Sequence, residues 1–572
     1  MRTSGLALLG TVCLHTLAHA QPRVPQTPRV DSADTYFGTR VPDPYRWLEH
    51  YDTPEVRRWY EAENAATDAV LDALPAREAF RRAFVAARRS RPYRVGAPRE
   101  AGSRVFYTKR LPEEQTPALY VREGDGVERR LFAVAQVADS AAGPTTFGGY
   151  FPSPDGSRVI VQYTLGGNER AVGRVVETAT GRLLDGPFMA EAVEWTPDGS
   201  GFRYRPIRNL GVRASILQLR GGLPIRLHRL DTPFAADAVV FDPIAMGGDS
   251  GAIASPHPTG ASHVLISLRR PARTQESEIF LATAGEAAGP EARWRRVSVA
   301  ADSVVLPFVR GGWIYAVSSR GAPNGRLVRT PLARPDWSTA EVVVPESGAV
   351  LWEPGVTEER AARDAFYYVR TDSGHQRLFR APFDGGRERE VAMPFEGSIY
   401  GLVGDADHDG VSFVFGGWVQ PDHLYRYRPA AGRMELLPAF FNPPDPYGEL
   451  AGLTARTVRI RSHDGVMVPL TILRGPGPQG PRPTILWGYG AYGATIDAFF
   501  RPDIRPWLAA GGVYAFCHTQ GGGYFGRAWR EAGMMQTKPN TWKDGIACAE
   551  YLVRQGITTP ARLGITGASA GG

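Results

Sequence analysis

The run Gly567-Ala568-Ser569-Ala570-Gly571 sets one hydroxyl among four small residues. This is the G-x-S-x-G pattern of a nucleophile elbow, in which a sharp strand-to-helix turn lifts a serine clear of a sheet. Glycines flank it because a strained turn leaves no room for side chains beside the nucleophile. In a chain with 65 glycines the motif needs supporting context. Upstream, "ARLGITG" at Ala561 reads as a short, continuous apolar strand, as do "GGVYAFCHTQ" at Gly511 and "PTILWGYG" at Pro483. Strands covered on both faces look like this. Between the strands at Gly511 and Ala561, "NTWKDGIACAEYLVRQG" predicts a helix. Trp542, Ile546, Ala549 and Val553 mark its apolar face, Thr541 and Asp544 form a capping pair, and Gly556 closes it. Strands alternating with helices imply an α/β domain with a mostly parallel sheet.

A serine hydroxyl is a poor nucleophile until a positioned base takes its proton and an acid fixes the tautomer of that base. Behind such an elbow the acid and then the histidine follow the serine. Here all 11 histidines precede it, and only Ala570, Gly571 and Gly572 come after. His518, at a strand end, reads as a structural imidazole. The base and acid are therefore expected beyond Gly572, and the polypeptide as written is expected to be inactive. A complete sheet would take at least two further βα units, and with their connections roughly a hundred or more residues are expected beyond Gly572. Without them the elbow strand is expected to be an edge.

The elements in front divide by texture. "TVRIRSHDGVMVPLTILR" alternates about His463-Asp464-Gly465 and predicts a β-hairpin. Before it, the break "FFNPPDPYGEL" marks a domain boundary. From about Ala76 to Phe440 short β-type runs are cut by turn residues. Two turns are near copies, "FPSPDGSRVIVQY" and "EWTPDGSGFRYRP", with Pro154 and Pro197 lying 43 residues apart. "RLVRTP", "RLFRAP" and "HLYRYRP" recur with Leu327, Leu378 and Leu424 separated by 51 and 46 residues. Weaker relatives stand at Leu119, Val175, Leu217 and Ile279. Seven such strands at this period predict a seven-bladed β-propeller, two sandwich domains being the alternative. Residues 21–75, with Trp47, Trp59 and Tyr60, read as a helical arm packing on another domain. The arginine-dense patch Arg81–Arg94 reads as the solvated face and last turn of a helix.

Residues 1–20 join Arg2, an apolar stretch from Leu6 to Leu17 and the ending Ala18-His19-Ala20, which predicts a secretory signal cleaved before Gln21. No segment has the 18 uninterrupted apolar residues of a membrane span. The expected location is secreted or periplasmic. Cleavage leaves Cys517 and Cys548, read as buried thiols with one bridge as the alternative; neither has metal-ligand spacing around it. The net charge of +7 is spread as arginine among acids, not gathered in the stripe a nucleic acid requires. No cofactor and no metal is expected.

The segments "YFGTRVPDPYRWLE", "ILWGYGAYG", "QGGGYFGRAW", "NTWKDGIACAEYLVRQGITTPARL" and "GASAGG" resemble, in this order, the prolyl oligopeptidase family of serine peptidases. The resemblance covers the N-terminal arm and the chain from about Arg456 closely, and the middle only by its blade texture. It implies a seven-bladed propeller (76–441) on an α/β-hydrolase domain (449–572), with oligopeptides hydrolysed after proline in a cavity between the two. Ser569 matches the nucleophile. Tyr489 and the backbone N–H of Ala570 match the oxyanion donors, and Tyr492 matches an aromatic wall of the proline pocket. Two preorganised donors beside the nucleophile are what a developing oxyanion requires. The sequence departs where the family usually has Arg before the Gly-Gly-Gly run and Glu after it, positions held here by Gln520 and Tyr524. Two other readings stand beside this one: a propeller-based binding protein on a hydrolase scaffold, and a relative cleaving after basic residues or releasing dipeptides.

Overall fold

The computed structural model describes residues 24–571 except 125, 139–142, 169, 211–213, 258–261, 271–275, 352–358, 373–374, 384–385, 405–406 and 445–451. The predicted leader, and the Asp445 to Leu450 part of the predicted boundary, lie outside these residues.

The chain forms two compact units, residues 1–85 and 86–572. In the first, a hairpin pairs Ala33–Tyr36 with Thr39–Pro42, and a helix runs over Pro54–Asp72. Thr53 caps that helix, its hydroxyl accepting from the Val56 N–H (3.4 Å), with proline at the first helical position. Trp47 and Trp59 meet edge to face at 6.3 Å. Their indoles donate to Pro28 O (2.9 Å) and Thr27 Oγ1 (3.0 Å), so the proline-rich lead-in is tied to the helix. The arginine-dense patch is helical only as far as Arg88, in the helix Arg77–Arg88, and Arg94 at its far end opens a strand instead of closing a helical turn.

In the second unit, antiparallel sheets follow one another along the chain: five strands within 94–132, seven within 145–241, then four each within 253–298, 304–344, 359–390 and 398–436. Each strand's period of two feeds two cores. In Ser277–Thr283, Ile279 and Leu281 pack with Leu265 and Ile314, whereas Phe280 packs with Ile266 and Phe241 on the opposite face. Sheets stacked face to face bury both sides of a strand, hence the continuous apolar runs. The two copied turns repeat their bonding too: Asp155 accepts from the Ser157 N–H (3.0 Å) and Asp198 from the Ser200 N–H (3.1 Å). Glu100 of the first sheet bonds Arg426 of the last at 2.6 Å.

Six of the seven recurring segments are strands. The seventh is not: Leu217 lies in the short helix Ile216–Arg220, and Ile225–Arg229 is the strand that follows. Ser215 and Gln218 form a reciprocal capping box there, a local signal that outweighs the loose repeat match.

The α/β part has strands β1 (Thr454–Arg461), β2 (Met467–Arg474), β3 (Thr484–Gly488), β4 (Val513–Cys517) and β5 (Leu563–Thr566) in the order β1-β2-β4-β3-β5. The predicted hairpin is β1–β2, and β3 runs parallel to both β4 and β5. Helices α1 (Arg505–Ala509), α2 (Arg527–Glu531) and α3 (Pro539–Arg554) cover it. β5 is the outer strand, and Ile565 on it is 80% exposed.

The buried side of α3 differs from the predicted one. Thr541, Asp544, Ala547, Cys548 and Leu552 are buried, while Trp542 and Ile546 face out at 54% exposure. The helix begins at Pro539, so Thr541 and Asp544 lie inside its first turns and bond to neighbouring loops instead of capping. Gly556 closes the helix in the left-handed conformation, as predicted. Cys517 and Cys548 are not free thiols: they form a disulfide joining β4 to α3 across a 6.3 Å Cα separation.

The α/β part meets the sheets through Ser398, whose Oγ accepts from Ala498 N (2.9 Å), through Gln376 Nε2 to Asp497 (3.2 Å), and through the Arg527–Glu276 ion pair (3.0 Å).

Candidate active site

β5 delivers the chain to Ser569, whose φ of +52° is left-handed. A side chain in that region is strained by roughly 1–2 kcal/mol, and such strain persists only where the surroundings hold it. The holding contact is Gly571. A Cβ there would stand 2.6 Å from Gly488 O, 3.0 Å from Tyr489 Cα and 3.2 Å from the Tyr489 ring. Only glycine lets the elbow close on the end of β3. Ser569 is exposed.

The same approach places Tyr489 beside the elbow. Its ring stacks on Trp487 (6.3 Å, 9° between planes), fixing its direction along the strand end. The next residue, Gly490, has φ +67°, and a Cβ on it would meet Thr519 Oγ1 and Thr541 Cγ2 at 2.3 Å. Its carbonyl accepts from Lys538 Nζ (2.6 Å) and from Thr541 Oγ1 (3.4 Å). Burial lowers the Lys538 pKa. Tyr492 also has positive φ, +58°, and stands 72% exposed. Ala570 follows Ser569 in a single 3₁₀ turn, Ser569–Gly571. The structure thus sets the turn that carries Ser569 and Ala570 against the end of β3 through Gly571, with Tyr489 at that end and Tyr492 three residues further along the loop.

The Gly-Gly-Gly loop is ordered without the charge pair expected for it. Gln520 N donates to Asp544 Oδ2 (2.9 Å), and Thr541 Oγ1 donates to Gln520 O (2.8 Å). Gly493 N bonds Gly521 O (3.1 Å), and Trp529 Nε1 bonds Thr519 O (3.0 Å). With its nitrogen toward the carboxylates, the Gln520 amide donates to Asp544 (3.2 Å) and Asp464 (3.3 Å), so a neutral amide occupies the arginine position. Asp544 is fully buried and also accepts from Ser462 Oγ (2.5 Å). Burial raises its pKa, the bonds from Ser462 and Gln520 pull it back, and the Asp464 charge adds to the rise. Sequence reasoning missed Asp544 and Lys538 as organisers of the two loops. The available signal was composition: Lys538 is one of three lysines in an arginine-rich chain.

His518 is buried with its Nε2 2.8 Å from Thr471 Oγ1 and its ring 4.4 Å from that of Tyr524. Desolvation lowers its pKa to about 3. It is a structural imidazole.

Residues 25–439 match the family model described as the prolyl oligopeptidase N-terminal β-propeller domain, and 499–572 match that of the prolyl oligopeptidase family. The chain belongs to the prolyl oligopeptidase family. It is 23% identical to a prolyl endopeptidase of Elizabethkingia meningoseptica, over 96% of this chain and 76% of that protein. It is 25% identical to dipeptidyl aminopeptidase BI of Pseudoxanthomonas mexicana, over 100% and 80%. A solved structure from an analysis of two prolyl endopeptidases superposes with a TM-score of 0.84 at 27% identity, over 96% and 79%. Membership of the prolyl oligopeptidase family makes the six antiparallel sheets a propeller domain and the α/β part a peptidase domain.

Proposed function

We propose that this chain carries the nucleophile of an exported serine peptidase that cleaves oligopeptides on the carboxyl side of proline through an ester on Ser569. The observation that carries the reading is the left-handed Ser569 in an elbow whose Gly571 packs on the end of β3 at Gly488 and Tyr489. Attack of Ser569 Oγ on the prolyl carbonyl would form a tetrahedral oxyanion, with the Tyr489 hydroxyl and the Ala570 N–H donating to it and Tyr492 lining the proline ring; cleavage of the C–N bond then releases the amine, which carries away the serine proton, and leaves the acyl-enzyme. Proline specificity draws on the prolyl endopeptidase relative. Export draws on the N-terminal signal pattern and on the Cys517–Cys548 bridge, since disulfides persist in oxidising compartments.

The propeller is proposed to have seven blades. The seven-stranded sheet counts as two, because its third and fourth strands, Val172–Glu177 and Phe188–Trp195, share only two paired positions, Val172↔Met189 and Gly173↔Phe188.

The 572-residue polypeptide is proposed to be incompetent by itself, since its histidines end at His518 and that imidazole is sequestered. Purified polypeptide should neither label with a fluorophosphonate at Ser569 nor turn over a fluorogenic peptide with proline before the scissile bond. Robust turnover would sink that part. A chimera continuing past Gly572 with the corresponding part of the Elizabethkingia enzyme tests specificity: cleavage after proline is expected. The dipeptidyl aminopeptidase relative supports a second reading, which release of dipeptides by the chimera would favour.

A further inference from the structure

Arg94 and Arg110 are directly opposed across an antiparallel pair in the first sheet. Like charges facing each other there are destabilising. Both residues line a cavity of about 330 Å³ between the first and last sheets, together with Arg91. A smaller adjoining hollow shares these three arginines and adds Arg88. Among the described residues, neither Arg94 nor Arg110 makes a side-chain hydrogen bond or an ion pair. The nearby acids take their hydrogen bonds from other groups, and Asp422 acts on Arg94 through its charge alone. Asp422 accepts from Tyr400 Oη (2.8 Å) and Phe500 N (3.4 Å), and Glu114 pairs with Arg130 (3.2 Å) and accepts from Leu111 N (3.0 Å). Burial and then the neighbouring Arg110 and Arg91 charges lower the Arg94 pKa against a smaller opposing effect of the Asp422 carboxylate, and since a guanidinium stays protonated in a protein, its positive charge is only partly compensated. The fold holds two half-buried cations in register against an open cavity, at a cost only partly offset.

We propose that this cavity binds a small organic carboxylate, its two oxygens held by Arg94 and Arg110. The planar guanidinium fork matches a carboxylate bidentately. Asp422 on the wall disfavours a second negative charge on the ligand. The volume suits a molecule of amino-acid to dipeptide size. Inorganic phosphate shares the oxyanion chemistry and is the competing source.

Calorimetric titration of the whole 572-residue polypeptide with N-acetylglycylglycine, its C-terminal amide and inorganic phosphate separates the cases. Saturable binding of the free acid but not the amide is expected, weakened about tenfold or more in both Arg94→Gln and Arg110→Gln. Phosphate binding with no binding of the acid keeps the oxyanion site and overturns the carboxylate assignment. No saturable binding of any probe, or binding indifferent to both substitutions, overturns the site itself. Thermal melting guards against misfolding: ligand-free Arg110→Gln should melt at or above the parent because a like-charge pair is gone. A clear fall would show that Arg110 holds the fold instead of a ligand.

Discussion

Replacing Asp544 by alanine should loosen the Gly-Gly-Gly loop while leaving the sheet intact. Asp544 is fully buried, and two of the groups donating to it, Ser462 Oγ and the Gln520 backbone N–H, belong to residues no more than 6% exposed. Removing the carboxylate strands two buried donors, each costing ~1–3 kcal/mol. Against this stands the relief of no longer desolvating a charge, which raises the Asp544 pKa. A net loss of about 2–3 kcal/mol at the loop follows, or roughly a 30- to 150-fold faster exchange of the Gln520 amide if it exchanges by local opening. Asp544→Asn keeps one acceptor oxygen and should cost about tenfold or less. The pH dependence has a definite sign. A carboxyl with a raised folded pKa contributes stability that is full below its unfolded value and is lost as pH rises through the folded one. The deficit of Asp544→Asn should therefore shrink from pH 4 to pH 7. Hydrogen exchange read by mass spectrometry on peptides spanning 518–526 decides the matter. A Gln520 amide within twofold of the parent in Asp544→Ala would show that the loop is held by its glycine packing and not by the buried carboxylate.

Two further outcomes rest on neighbouring groups. Reducing the Cys517–Cys548 bridge, which spans 31 residues, should destabilise the α/β part by about 3–4 kcal/mol on the chain-entropy account, read as a lower denaturation midpoint of the Cys517→Ser/Cys548→Ser variant. His518 has its pKa lowered to about 3, so it adds stability that is full above pH 6.5 and falls away as pH drops toward 3. Substituting His518→Gln should flatten the acid limb of the stability profile by roughly 3 kcal/mol at pH 4, and an unchanged limb would contradict the assignment.

The order of elements was legible because it rests on local patterns. The alternation about His463-Asp464-Gly465 reads as a hairpin, and the apolar runs at Thr484, Val513 and Leu563 read as strands, the last of which is left exposed at the sheet edge. The turn copies at Asp155 and Asp198 were legible because Asx chemistry is confined to a few residues. What failed depended on tertiary partners. Leu217 matched a repeat by side-chain type, but the Ser215–Gln218 box had already set a helix. On α3, Trp542 and Ile546 out-rank Thr541 and Asp544 in hydrophobicity, yet the polar pair is buried because Gly490 and Gln520 present carbonyl and amide groups to it. Periodicity locates a stripe without saying what faces it. The disulfide was undecidable for the same reason: a separation of 31 residues says nothing about whether β4 and α3 pack side by side. For the site, Ser569 and Tyr489 stand out by their motifs, whereas the packing of the elbow on the end of β3 depends on the Gly571 approach, a property of the folded backbone.

The Cys517–Cys548 bridge encloses the loop 518–533, helix α2 and the Lys538 that braces Gly490. A peptidase that nicks this enclosed stretch releases nothing, since both fragments stay joined through β4 and α3. Such a cut chain would migrate as one species until a reductant is added. The segment packed against the candidate oxyanion loop is thus the part of the α/β sequence that can lose a peptide bond without losing a fragment.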